Sequence, residues 1–199
     1  MFKLAPLIAA IYVMNTAARY QFQMHLNLIK DLDNNEFGGL DLMHHMTSGF
    51  KACFSRIAYD GLDTCRVACG GAGFSVHSGL PSLQVDYSPN TTYEGDNTVM
   101  LQQTARLLMK TWKKIKSGKE KPTGLLSYIN NIDTLLQSKS EIRTVDDALS
   151  LANLDKALAV RSAYKIKTTN EKIAQKTKEG VPENDRVHSE LAIDIVSMA

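Results

Sequence analysis

The chain is poor in several things that would each have named a class of protein. It has three cysteines, an odd count with no framework spacing, which argues against a disulfide-stapled secreted module. Five prolines leave no proline-rich tract, and the lysine run at 110–121 lacks the aromatic interleaving of a nucleic-acid platform. Charge of one sign is also missing: 23 Lys and Arg face 21 Asp and Glu, which excludes an obligate polyanion binder. Long apolar runs are short as well. The longest near the start, Leu4 to Met14, is interrupted by Pro6 and followed by Arg19, too short to span a bilayer and without a signal peptide's basic flank or cleavage site. What is present is a 44% hydrophobic content over 199 residues, enough to bury a core. These features are expected of a soluble protein of a reducing compartment.

The residues present are unevenly placed. Twelve of the fourteen aromatics lie at or before Trp112, and nine of the twelve glycines lie in the first 95 residues. Basic residues concentrate after Met109. We therefore expect a core-rich unit at 1–120, a connector at 121–144, and the start of a second helical unit at 145–199.

Periodicity predicts an all-α fold, a helical bundle. Leu4, Leu7, Ile8, Ile11, Ala18, Phe22, Leu26 and Ile29 fall at helical steps on one apolar face. Asp31 to Asn35 ends that helix, and Gly38-Gly39 is the expected turn. A second helix is expected from about Asp41, as N-cap, to Cys69, with Leu42, Met46, Phe50, Cys53, Phe54, Ile57 and Cys65 inward. Residues 70–93 show no sustained period and read as a long irregular stretch, a length that in compact domains is often functional. A third helix starts near Glu94 to Asn97 and ends at a lysine-rich segment suited to a helix C-terminus. A short helix near Leu125–Ile132, one long helix over Val145 to Lys178, and a last apolar segment from Asn184 with no evident packing partner complete the expectation.

Two places are candidates for chemistry. Glu94 stands where a glycine- and proline-containing loop becomes a helix. Lodged among aromatic and apolar groups, such a carboxylate loses hydration and becomes a stronger base. By spacing alone the plainer reading, a helix-start acid favoured by the macrodipole, comes first. Gly70-Gly71-Ala72-Gly73 allows close backbone approach to a phosphate or planar ligand, or simply ends a helix. No metal site is expected, because adjacent His44 and His45 point about 100° apart on a helix, and Cys65 and Cys69 read as small hydrophobes. The lysine run at 110–121 reads as a solvated helix end, and no nucleic-acid partner is expected.

The stretch from Cys65 to Lys110, CRVACGGAGFSVHSGLPSLQVDYSPNTTYEGDNTVMLQQTARLLMK, resembles the signature region of the peroxisomal acyl-CoA oxidases. The likeness rests on four linked blocks: Cys-Arg-x-x-Cys-Gly-Gly-x-Gly-aromatic, Ser-Gly-Leu-Pro, aromatic-Glu-Gly-acidic-Asn-Thr-Val, and Gln-Thr-Ala-Arg-x-Leu-Met-Lys. It implies a flavin enzyme that desaturates fatty acyl-CoA at the α,β bond and passes electrons to molecular oxygen. By the same resemblance Glu94 is the catalytic base, and Tyr93 and Gly95 border the substrate. Gly70 and Gly71, with Asp96, Asn97 and Thr98 at a helix start, lie near FAD. A homodimer and a peroxisomal location are further implications. Departures are Ala72, where a histidine is common, Phe74, often tyrosine, and Gln102, often apolar. The chain is expected to open inside the first long helix of the flavin-side bundle and to stop within the last helical domain. It would then lack the family's N-terminal and β-barrel domains and its C-terminal address, which Ser197-Met198-Ala199 does not supply. Alternatives are an acyl-CoA dehydrogenase with the same base and cofactor, a silent truncated homologue or assembly module, and a plain interaction bundle.

Overall fold

The computed structural model describes residues 2–119, 121–183 and 191–198. Helices joined by short turns and connectors make up the structure, with no strand among the described residues. The long helices are α1 (Ala5–Asp33), α2 (Leu40–Ala68), α4 (Asn97–Lys116) and α7 (Leu151–Lys178). Shorter ones are α3 (Leu80–Tyr87), α5 (Ile132–Gln137), α6 (Val145–Leu149) and α8 (Ala192–Met198). The chain forms two compact units, Met1–Thr104 and Ala105–Ala199, with the division inside α4.

In the first unit α1 and α2 run antiparallel. A methyl group added at Gly61 would lie 3.4 Å from a Leu7 methyl, and one at Gly39 would lie 3.1 Å from a Leu28 methyl. The α1 face turned inward is Leu7, Ala10, Met14, Ala17, Gln21, Met24, Leu28 and Leu32, spaced three and four residues apart like a coiled-coil seam. Apart from Leu7, the expected face was a different one. Ile8, Ile11, Phe22, Leu26 and Ile29 are exposed, because α1 is apolar on more than one side and α2 covers only one of them. Tyr12 and Val13 are exposed with them. A contiguous apolar face of this kind favours association. The isolated 199-residue chain is expected to self-associate, giving a light-scattering mass at least twice 22.0 kDa; a monodisperse monomer would count against this.

Several boundaries differ from expectation for local reasons. The left-handed residue after α1 is Asn35, at φ 61°, not either glycine of the 38–39 pair; asparagine tolerates this conformation. Gly39 is the N-cap of α2, so Asp41 falls inside the first turn, where its charge still suits the macrodipole. The most buried positions of α2 are His45, Ser48, Ala52 and Ser55, a small and polar face, while Cys53 and Ile57 are exposed. The stretch 70–93 is not irregular. It holds 3-10 turns at Gly70–Phe74, Val76–Ser78 and Ser88–Thr91 around α3. Pro81 looks like a helix breaker but occupies the first turn of α3, where its missing N–H is not needed.

The second unit has the larger core: Ala105, Leu108, Ile129, Ile132, Ala163, Ile166, Leu191 and Ile195. A 3-10 segment, Gly124–Asn131, leads straight into α5. The single helix expected over Val145 to Lys178 is broken at Ser150, whose extended ψ of 125° separates α6 from α7. Thr144 and Asp147 form a capping box on α6. The final apolar segment does have a partner: Leu191 and Ile195 are buried in this core, and Lys172 of α7 reaches Asp194 at 2.8 Å. The expected start of that segment, Asn184, lies outside the described residues.

Candidate active site at the start of α4

The turn before α4 is built from chemistry within a few residues. The Tyr93 hydroxyl donates to Asn90 Oδ1, and the Asn90 amide donates to the Tyr87 carbonyl at 2.9 Å. Backbone N–H groups of Thr92 and Tyr93 both reach the Pro89 carbonyl at 2.9 Å. The chain then takes two consecutive left-handed residues, Glu94 at φ 58° and Gly95 at φ 106°. The first is unfavourable for a side chain with a Cβ, by about 1–2 kcal/mol, and such positions cluster at functional sites. The second requires glycine. Gly95→Ala is expected to cost about 1–3 kcal/mol through backbone strain, measured by denaturant unfolding. Although the new methyl would also meet Met100 Cε at 2.4 Å, adding Met100→Ala is expected not to restore stability, because the end of Met100 can move and φ cannot.

Asp96 caps α4, its carboxylate accepting from the Thr98 N–H at 2.8 Å. Asn97 ties the helix to α2. Its amide nitrogen donates to the Ala52 carbonyl at 3.2 Å and to Ser55 Oγ at 2.9 Å. Its Oδ1 accepts from the Lys51 ammonium at 2.8 Å, and the same ammonium donates to the Gly95 carbonyl at 2.6 Å. Thr104 adds a bond to the His45 carbonyl at 2.9 Å. Two buried polar groups of α2, Ser48 and Ser55, are thus explained: the first bonds within its helix, to the His44 carbonyl at 2.8 Å, and the second receives α4. Sequence reasoning missed Lys51 and Ser55, since 42–46 residues separate them from their partners.

Glu94 itself is exposed, as are Tyr93, Asp96 and Thr98, with Gly95 and Asn97 half-buried. The apolar surroundings expected for the carboxylate are therefore not supplied by the described residues.

The Gly70–Phe74 turn is fastened to the end of α2. Arg66 pairs with Asp63, its Nη2 at 2.7 Å, and its guanidinium lies over the Phe74 ring, 5.0 Å from the centroid. Gln84 of α3 also donates to Asp63, at 3.1 Å. These bonds, from Arg66 first and Gln84 second, hold the Asp63 carboxyl below the usual carboxylate range. A lowered carboxyl stabilises the fold above its unfolded pKa, near 3.9, and that contribution is lost as pH falls through the folded value. Asp63→Asn is expected to flatten part of the acid-side loss of unfolding free energy below pH about 4, measured by urea titration at successive pH values. Gly70, at φ 57°, and Gly71 are exposed, with nothing within 4 Å of where a Cβ would stand. Among the described residues no group of three or more His, Cys, Asp or Glu is placed to hold a metal, and no helix is long and apolar enough to cross a membrane.

In this all-α unit a glycine-rich turn and a strained Tyr-Glu-Gly turn stand beside short helices, and residues 1–109 match the family described as acyl-CoA oxidase, C-alpha1 domain. The chain belongs to the acyl-CoA oxidase family. It is 36% identical over 165 residues to peroxisomal acyl-coenzyme A oxidase 1 of Rattus norvegicus, covering 81% of this chain and 25% of that protein. The solved structure of Arabidopsis thaliana acyl-CoA oxidase 1 superimposes with a TM-score of 0.90 at 30% identity, over 98% of this chain and 29% of that one. Acyl-CoA oxidase-2 of Caenorhabditis elegans, solved bound with FAD, ascaroside-CoA and ATP, gives a TM-score of 0.74 at 27% identity, over 88% and 25% of the two chains. The chain thus spans about a quarter of the length of the relatives it matches.

Proposed function

We propose that this chain is the base-bearing helical segment of an FAD-dependent acyl-CoA oxidase, desaturating fatty acyl-CoA to the trans-2-enoyl thioester and making hydrogen peroxide. The observation that carries this reading is Glu94, held in a left-handed turn at the mouth of α4 by a network that fixes Gly95 and Asn97 but leaves the carboxylate itself outward.

Glu94 removes the α-proton of the thioester. An α-C–H is a weak acid, so the carboxylate must lose its hydration on substrate docking, and an acyl chain together with the flavin ring would exclude that water. Tyr93 and Gly95 border the thioester. What the flavin supplies when bound is a two-electron acceptor for the β-hydride and a route for the electrons to oxygen.

The residues present fit the cofactor unequally. Gly70 and Gly71 offer an open, exposed backbone that a flavin can approach. At α4 the Thr98 N–H is already taken by Asp96, whose carboxylate occupies the position an anion would need. Asp96, Asn97 and Thr98 therefore serve FAD by shaping the turn beside it and not by donating to a phosphate. Peroxisomal location and a homodimer with FAD at the interface go with this reading. The test is peroxide formation from acyl-CoA with oxygen as the only acceptor, using the FAD-loaded oxidase that contains this chain. Turnover only with an artificial electron carrier would favour a dehydrogenase, and no flavin retained would favour a silent homologue.

A further inference from the structure

We propose that Lys51 is the positioning residue of the Glu94 turn. The inference rests on the reading of Glu94 as the base. Lys51 stands in the middle of α2, half-buried, and its ammonium donates to two groups that follow Glu94: the Gly95 carbonyl at 2.6 Å and Asn97 Oδ1 at 2.8 Å. A lysine is normally kept at the surface by its hydration, so a half-buried one directed at a main-chain carbonyl has exchanged water for fixed acceptors. The two acceptors lie on either side of the bend between the left-handed pair and α4. Holding both fixes where the bend occurs, and with it the direction from which Glu94 leaves the backbone.

The need for such a clamp follows from the backbone. Glu94 at φ 58° and Gly95 at φ 106° are two consecutive residues in a region the chain leaves readily when unsupported. Local bonds secure the turn upstream, through the Pro89 carbonyl and the Asn90–Tyr93 pair. Downstream, Asp96 secures only α4 itself. Lys51 and Asn97 join the downstream side to α2, and Asn97 is in turn held by Ala52 and Ser55. The base is thereby referenced to a 29-residue helix instead of to a free loop. Proton abstraction from carbon is sensitive to such placement, and an error of about 1 Å can cost about 10²-fold in rate.

The experiment compares Lys51→Met, which keeps most of the stem and loses the donors, with Lys51→Arg, which keeps donors, in the FAD-loaded oxidase. The probe is an acyl-CoA analogue carrying sulfur in place of the β-carbon, from which no β-hydride can leave; its α-hydrogen exchange into D2O reports the base alone. Lys51→Met is expected to slow that exchange about 10²-fold, with bound flavin and analogue affinity little changed, and Lys51→Arg to recover much of it. In the 199-residue chain, Lys51→Met is also expected to raise amide hydrogen exchange at residues 94–98 selectively. Unchanged α-exchange in Lys51→Met would overturn the proposal, as would loss of flavin and of thermal stability in step with the rate, which is what a merely structural lysine gives. If instead Glu94→Gln exchanges normally, the base assignment fails whatever Lys51 does.

Discussion

Glu94→Gln is expected to lower acyl-CoA desaturation by about 10²–10⁴-fold, the range for losing a positioned general base. The amide is nearly isosteric and keeps a polar group at the same strained position, so flavin content, thermal midpoint and substrate affinity should change little. That separation matters because Glu94 is exposed in this chain, with its carboxylate directed away from the bonds that hold the turn. A structural carboxylate at a helix start would show the opposite pattern, a loss of stability with rate preserved. Rapid mixing of acyl-CoA with the FAD-loaded enzyme under anaerobic conditions isolates the desaturation half of the cycle from the oxygen half. A variant retaining the wild-type rate in that step would refute the assignment. Asp96→Asn separates the cap from the base: it removes a cap carboxylate two residues away and is expected to lower stability by about 1 kcal/mol or less, since asparagine still caps.

The helical architecture was legible because apolar residues recur at helical steps over long segments; the extents of α2 and α4 follow from that pattern, whereas α6 and α7 read as one helix and the buried face of α2 is its small and polar one. The choice of inward face on α1 was not, since Leu7-Met14-Leu28 and Ile8-Ile11-Phe22 are equally apolar stripes on the same helix. Which of them α2 covers depends on where Gly61 and Gly39 let it approach. Helix α3 escaped notice for a different reason: eight residues are too few to show a period, and Pro81 conceals a helix start as a break. At the site, the position and surroundings of Glu94 in sequence marked it as the carboxylate to watch, through the family resemblance more than through spacing. Its support was hidden. Lys51, Ala52 and Ser55 belong to another helix, and a lysine in a helix reads as solvated until its acceptors are seen. The apolar end of the chain was misread as unpartnered because its core, built on Ile129, Ile132 and Ile166, draws on segments that show no common period.

Gly73→Ala is expected to be the most damaging single methyl in the first unit. A Cβ at this position would lie 1.9 Å from the Arg66 carbonyl oxygen and 2.8 Å from its carbon, both backbone atoms of the last turn of α2. No rotamer relieves such a clash; either the Gly70–Phe74 turn lifts or α2 unwinds its end. Gly73 is also buried, unlike Gly70 and Gly71, where a methyl would meet nothing within 4 Å. The glycine block therefore divides by cause: Gly73 is required for packing, Gly70 for its left-handed φ of 57°, and Gly71 for neither. Lifting the turn would also draw Phe74 off the Arg66 guanidinium and disturb the Asp63–Gln84 bond that ties α3 to α2. Overpacking of this kind costs about 1–3 kcal/mol, occasionally more, and Gly73→Ala should fall at or above the upper end. Gly71→Ala should stay within about 0.5 kcal/mol of the parent, as surface substitutions do. Urea unfolding of the two variants checks the contrast in stability. Flavin titration then distinguishes the roles: if Gly71 is where the cofactor approaches, Gly71→Ala weakens FAD binding without weakening the fold, whereas Gly73→Ala weakens both together. Equal stability in the two variants would show that the turn yields at Gly73 more readily than its contact with the α2 backbone implies.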